Sequence, residues 1–135
     1  MDKGWRIFLH VLRLHLERFA GQPAARVQAM AMIEAPDGTA AVLKRALAPF
    51  TFDQDRLEAT KDTTAPLAGI VTLRQDYVTA FTVDKPAPGT GFIAVEGRGP
   101  VLAASLWLAF YGPDATALAD RDRPRWQAWL DGLGG

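Results

Sequence analysis

The chain has 135 residues, of which 49% are hydrophobic and 22% charged, a balance typical of one globular domain. Fifteen basic residues offset fifteen acidic ones, so no net charge attracts nucleic acid or an anionic membrane surface. Cysteine is absent, which excludes disulfides, thiolate nucleophiles and Cys-type zinc sites and favours a cytoplasmic location. No apolar run reaches the ~18 residues that a membrane-spanning helix needs.

Residues 1–22 have the pattern of an amphipathic helix. Its main apolar stripe, at helical spacing, contains Trp5, Phe8, Leu9, Leu12, Leu16 and Phe19. A second, shorter stripe lies on another side of the same helix and contains Ile7, Val11 and Leu14. One domain surface covers only one stripe, so these three residues are predicted to form an interface with a neighbouring domain or a second copy.

The next segments alternate between strand and helix. Residues 26–34 alternate in character and predict a strand, and the good helix formers of residues 39–47 predict a helix that ends before Pro49. Residues 50–57 fit neither pattern clearly. The polar composition of residues 61–66 predicts a loop.

The second half of the chain predicts a sheet followed by a helix. Four strands at residues 68–74, 77–83, 91–96 and 101–111 are joined by short turns, which makes the sheet antiparallel. The last strand is apolar on both faces and is therefore expected in the interior of the sheet. Helical sequence runs from about residue 114 to residue 133. The fold class is thus α+β, with a curved antiparallel sheet wrapped on a long C-terminal helix and an extra N-terminal helix.

The two ends of the chain share one pattern. Trp5 to Leu12 and Trp126 to Leu133 both fit W-x-x-[FW]-L-x-x-L, and the two tryptophans stand 126 − 5 = 121 residues apart. That spacing is close to the length of one ordinary domain, roughly 100–150 residues. We therefore expect residues 1–22 to correspond to the closing helix of a preceding repeat and residues 25–135 to form a domain.

The first helix also carries a longer pattern, G-W-x-x-F-L-x-x-L-x-x-[YH]-L-E, matched by Gly4, Trp5, Phe8, Leu9, Leu12, His15, Leu16 and Glu17. In this it resembles the final helix of the AHSA1-like family, related to the C-terminal domain of the Hsp90 ATPase activator. That family lies in the SRPBCC superfamily (START and Bet v 1), whose implied fold is the helix-grip. The superfamily has seven strands and usually two short helices after the first strand. Five or six strands and one helix here predict a reduced version, with a small or closed cavity.

Helix-grip proteins hold ligands between the sheet and the long helix, and the resemblance implies an apolar pocket. The candidates for its lining are Met30, Met32, Tyr77, Phe81, Phe92, Trp107 and Tyr111. Aromatic and methionine side chains also fill ordinary cores, so a filled core remains the alternative.

No group of residues points to catalysis. His10 and His15 are five apart on a helix and do not share a face as a metal-binding pair would. Asp53, Asp55 and Glu58 have the setting of a solvated turn. We therefore predict no catalytic residues, no metal site and no cofactor.

Three functions remain open from the sequence. The favoured one is a non-enzymatic module that binds an apolar small molecule or a protein partner. The second is a homodimer formed through the N-terminal helix, and the third is an enzyme of the cyclase or aromatase kind. An Hsp90-type chaperone as partner is implied only by the resemblance, and neither nucleic acid nor a membrane is expected to be a partner.

Overall fold

The computed structural model describes residues 9, 10, 12, 13, 24–34, 38–59, 65–97 and 100–134. Its strands and helices are, in chain order, β1 (Ala25–Glu34), α1 (Thr39–Leu47), β2 (Phe50–Asp53), β3 (Arg56–Ala59), β4 (Ala68–Gln75), β5 (Val78–Lys85), β6 (Gly89–Glu96), β7 (Val101–Phe110) and α2 (Ala115–Asp131), followed by a 3-10 turn (Gly132–Gly134).

All strands belong to one antiparallel sheet with the order β1-β7-β6-β5-β4-β3-β2. Strand β7 lies between β1 and β6, and this interior place confirms what its two apolar faces predicted. The α+β class and the antiparallel sheet are confirmed as well.

The expectation of five or six strands was wrong, because the sheet has seven. The ambiguous residues 50–57 lie in a hairpin, in which β2 and β3 are joined at Gln54 and Asp55. Gln54 has a φ of 54°, a left-handed conformation suited to a tight turn. Each strand alternates apolar and polar residues, but four residues are the shortest run in which alternation indicates a strand, and the turn at Gln54 and Asp55 interrupts the pattern between them.

The inner face of the sheet holds the main core. Leu106, Leu108 and Phe110 of β7 and Ile93 of β6 are buried there against both helices. Helix α1 contributes Val42, Leu43 and Ala46, and α2 contributes Trp126, Trp129 and Leu130. One continuous core thus joins the sheet to both helices.

Helix α2 also covers the free edge of β1. Arg123 donates a hydrogen bond to the backbone carbonyl of Arg26, and Gln127 donates one to the carbonyl of Met30, each at 2.9 Å. Unpaired backbone groups on an edge strand invite pairing with another chain. These two side chains therefore protect the edge and fix the position of the helix along it.

The outer face carries a second, smaller cluster of Tyr77, Val78 and Ala94, with Leu73 and Phe92 packed on it. Within the N-terminal segment, Leu9, His10, Leu12 and Arg13 have helical conformation. His10 Nε2 lies 2.7 Å from Thr72 Oγ1 on β4, so this helical segment contacts the sheet.

The predicted interface residues Ile7, Val11 and Leu14 lie outside the described residues, and so do Trp5 and His15. In the described ranges, neither helix combines the length and the apolar character required to cross a membrane.

Candidate ligand-binding groove

An open groove of about 820 Å³ lies between α1, β2 and the turn that joins β4 to β5. Its lining consists of Ala40, Leu43, Lys44, Arg45, Leu47, Ala48, Phe50, Phe52, Arg74, Gln75, Asp76 and Thr79. Sites for small molecules in proteins have volumes of roughly 300–1,000 Å³ and mainly apolar walls. The groove therefore has the dimensions of a small-molecule site.

Its walls are apolar and rigidly supported. Leu43 and Phe50 are buried, and Leu47 and Phe52 are half-buried. Behind the groove, the Phe50 ring stacks on Trp126 with a centroid separation of 6.2 Å and an interplanar angle of 5°.

Trp129 completes this aromatic support. It meets Phe50 edge-on at 6.1 Å and Trp126 edge-on at 5.4 Å. Aromatic pairs in such geometries each contribute about 0.5–1.5 kcal/mol beyond their buried area. The two tryptophans at the C-terminal end of the chain thus fix one wall of the groove, although neither lines it.

The rim of the groove is cationic. Lys44, Arg45 and Arg74 each contribute a positive charge to it, and among the described lining residues only Asp76 contributes a negative one. The guanidinium carbon of Arg74 lies 4.6 Å from the centroid of the Phe52 ring, a cation–π contact that holds the positive charge over the apolar wall.

Thr79 also belongs to the lining and carries a buried hydroxyl. It stands directly opposite Arg74 in the β4–β5 register, and its side chain is fully buried. Its Oγ1 has no hydrogen-bond partner within the part of the chain that the structure describes. A buried hydroxyl without a partner carries a desolvation cost of about 1–3 kcal/mol, and an unfilled ligand position is one of the few explanations for such a group.

None of the seven residues predicted to line a pocket belongs to this groove's lining. Phe81 is buried in the main core, and Tyr111 is buried just after β7. Phe92 and Trp107 stack on each other on the outer face at 5.9 Å. The structure does not gather the seven around one cavity, and their part in ligand binding stays a prediction.

The remaining members of that set lie on or near the outer face. Tyr77 belongs to the small outer cluster. Met30 and Met32 are among the most exposed apolar side chains, at 63% and 65%. By register they stand beside Ser105 and Ala103 of β7, where they form an apolar strip on the surface.

Acidic side chains of the domain occur in two different settings. Asp53, Asp55 and Glu58 are exposed in and beside the β2–β3 hairpin, as a solvated turn requires. Asp122 of α2 is fully buried.

The Asp122 carboxylate accepts two hydrogen bonds from Arg121, at 2.7 and 3.1 Å, and these raise the pKa of the Arg121 guanidinium. Asp122 does not belong to the groove's lining. Arg121 and Asp122 are consecutive residues of α2, so this ion pair lies within the helix. Across the described ranges, no three His, Asp or Glu side chains converge as a metal site would require.

Solved structures with the same architecture exist at very low sequence identity. The MLL2253 protein from Mesorhizobium loti superposes with a TM-score of 0.62 at 12% identity, over 81% of this chain and 93% of that one. The chain has the helix-grip fold. Two further helix-grip neighbours are CalU16 from Micromonospora echinospora (TM-score 0.58, 10% identity, 84% of this chain and 82% of that one) and the Aha1 dimer from Colwellia psychrerythraea (TM-score 0.57, 9% identity, 82% and 93%).

The helix-grip architecture that the sequence resemblance implied is therefore confirmed. No protein-family model matches the sequence, and no curated protein matches it either. Structural similarity at such low sequence identity indicates a shared architecture but does not indicate any particular activity.

Proposed function

We propose that the chain is a non-enzymatic binding module that takes an apolar small molecule into the groove between α1, β2 and the β4–β5 turn. The observation that carries this proposal is the groove itself, with a volume of about 820 Å³ and apolar walls. The aromatic support from Trp126 and Trp129 pre-forms one wall, so that binding does not have to order it. The absence of cysteine suits such a module to the cytoplasm.

The test is a thermal-shift titration of the full chain with 1-decanol, an uncharged apolar probe. A ligand that binds only the folded state at ten times its Kd adds about 1.4 kcal/mol to the free energy of unfolding. We expect Tm to rise with probe concentration and the fluorescence of Trp126 and Trp129 to change with it, because both contact the wall residue Phe50.

A matched pair of variants places the binding in the groove. Ala48→Trp introduces a large side chain into the lining at an exposed position and should abolish the rise in Tm. Ala117→Trp introduces the same side chain at an exposed position on α2 and should leave the titration unchanged. Equal responses of the two variants would show that the probe binds elsewhere.

Self-association through the N-terminal helix is the second candidate. Leu9 and Leu12 belong to its main apolar stripe, yet they are 46% and 40% exposed. One fold neighbour is an Aha1 dimer, and such exposed leucines are what a second copy would cover. Light scattering after size exclusion should show a dimer that Leu9→Gln with Leu12→Gln dissociates. A monomer at every concentration would exclude this function.

A protein partner remains a prediction from the family resemblance, with an Hsp90-type chaperone as its most specific form. Such a partner would bury the most exposed apolar side chains by binding to the apolar strip of Met30 and Met32. Cyclase or aromatase chemistry is not proposed, because the described lining of the groove contains no buried carboxylate and no histidine.

A further inference from the structure

We infer that the ligand of the groove is an acid, whose apolar body lies along Leu43, Leu47, Phe50 and Phe52 and whose carboxylate binds Arg74 and the hydroxyl of Thr79. This inference rests on the proposed function and adds the chemical class of the ligand. Three features of the groove carry it: the charge of its rim, the position of Arg74, and the unpartnered Thr79 hydroxyl.

The charge of the rim favours an anion. Three cationic side chains face one carboxylate, that of Asp76. Neither Lys44 nor Arg74 makes an ion pair with any described residue. A neutral ligand would leave Lys44 and Arg74 without a counter-charge among the described residues, whereas an anionic one would be attracted to the mouth of the groove.

The position of Arg74 makes it the anchor. Its guanidinium is held 4.6 Å from the centre of the Phe52 ring, which limits the number of orientations that the side chain can adopt. A guanidinium presents a planar set of N–H donors that matches the two oxygens of a carboxylate. An apolar chain lying against Phe52 would therefore bring its acid group to this donor set.

Thr79 supplies the second donor. Its hydroxyl is buried and has no partner among the described residues, and Arg74 is its direct neighbour across the two strands. A carboxylate oxygen bound at Arg74 can accept a hydrogen bond from the Thr79 hydroxyl. Binding would then supply an acceptor to a hydroxyl that has none among the described residues, and a ligand without an acceptor would not.

The experiment compares decanoate with 1-decanol, which have the same chain and differ in charge, by titration of the full chain at neutral pH. A charge-assisted hydrogen bond contributes less to affinity at an open site than when it is buried. We expect decanoate to bind at least about fivefold more tightly than decanol.

Two variants and a control identify the residues that cause the preference for decanoate over decanol. Arg74→Gln should remove the preference for decanoate and leave the affinity for decanol within about twofold. Lys85→Gln, which removes an exposed positive charge at the far end of β5, should change neither affinity. Thr79→Val should weaken decanoate binding and, because the buried hydroxyl is gone, leave the ligand-free protein at least as stable as the wild type.

The outcomes separate the two proposals. Equal binding of decanoate and decanol would overturn the acid and leave the apolar groove standing. Binding of neither would overturn the proposed function itself. A preference for decanoate that persists in Arg74→Gln would overturn the anchor, and a Thr79→Val protein that is less stable without ligand would give that hydroxyl a structural role instead.

Discussion

At the level of single residues, the tryptophans at the C-terminal end connect stability to the groove. Trp126 is fully buried and contacts both Phe50 and Trp129 through its ring. Phe50 in turn lines the groove. The same side chain thus holds α2 on the sheet and supports the site.

Trp126→Ala should lower the free energy of unfolding by about 3–5 kcal/mol, because it removes a large buried ring and leaves a cavity in the core. Urea unfolding followed by far-UV circular dichroism measures this loss. Ala117→Gln, at an exposed position of the same helix, should change stability by less than about 0.5 kcal/mol. A loss below about 1 kcal/mol for Trp126→Ala would contradict the packing described.

The burial of Tyr111 should make the stability of the protein depend on pH in the alkaline range. Its burial raises the pKa of the phenol above the ordinary 10.0, while the charge of Arg26 acts in the opposite direction. The folded state therefore favours the neutral phenol, and the stability that this contributes is present below about pH 10 and lost as the pH rises further. In Tyr111→Phe the free energy of unfolding should fall less steeply over that range. Identical slopes in urea titrations of the two proteins would refute this.

At the level of elements, close approach of β4 and β5 requires a glycine. A methyl group at Gly69 would overlap the backbone carbonyl of Thr82 on β5. Backbone atoms of paired strands cannot move aside without loss of the hydrogen bonds between them. The register shift between Ala68 and Gly69 lies at the same place.

Gly69→Ala should therefore lower the free energy of unfolding by at least about 2 kcal/mol. Gly132→Ala is the matched control, because Gly132 has a φ of −70° and no atom within 4 Å of the added methyl group. That variant should be unchanged or more stable by up to about 1 kcal/mol. Chemical denaturation of both proteins checks the pair, and equal effects would contradict the strand contact.

At the level of the whole molecule, one core joins the sheet to α1 and α2, and every strand among the described residues lies between residues 25 and 110. Residues 1–22 add the contact between His10 and Thr72. The domain boundary proposed from the sequence can therefore be tested by removing the N-terminal segment.

A chain of residues 25–135 should still unfold in one cooperative transition, at a lower Tm than the full chain because contacts to the outer part of β4 are lost. Calorimetry, with agreement between fluorescence and circular dichroism, measures this. Absence of any cooperative transition would show that residues 1–22 are part of the domain and not the end of a preceding one.

Particular segments show how much of the fold could be predicted from the sequence. The alternation of residues 26–34 and the double apolar face of residues 101–111 determined two strands and the interior place of the second. Residues 50–57 could not be assigned, because four-residue strands gain their stability from pairing with neighbours and not from a local pattern. The hairpin that they form supplies Phe50 and Phe52, so the groove could not be foreseen without it.

By itself, the sequence determined the α+β class, the antiparallel sheet and the long closing helix, because hydrophobic periodicity is a local property of the chain. Only the tertiary structure decided which side chains share a cavity. Arg74 and Thr79 are opposite each other through the register of β4 and β5, and Phe52 reaches Arg74 through β3 and its pairing with β4. Proximity of this kind is fixed by strand pairing between distant segments, which no local pattern of residues specifies.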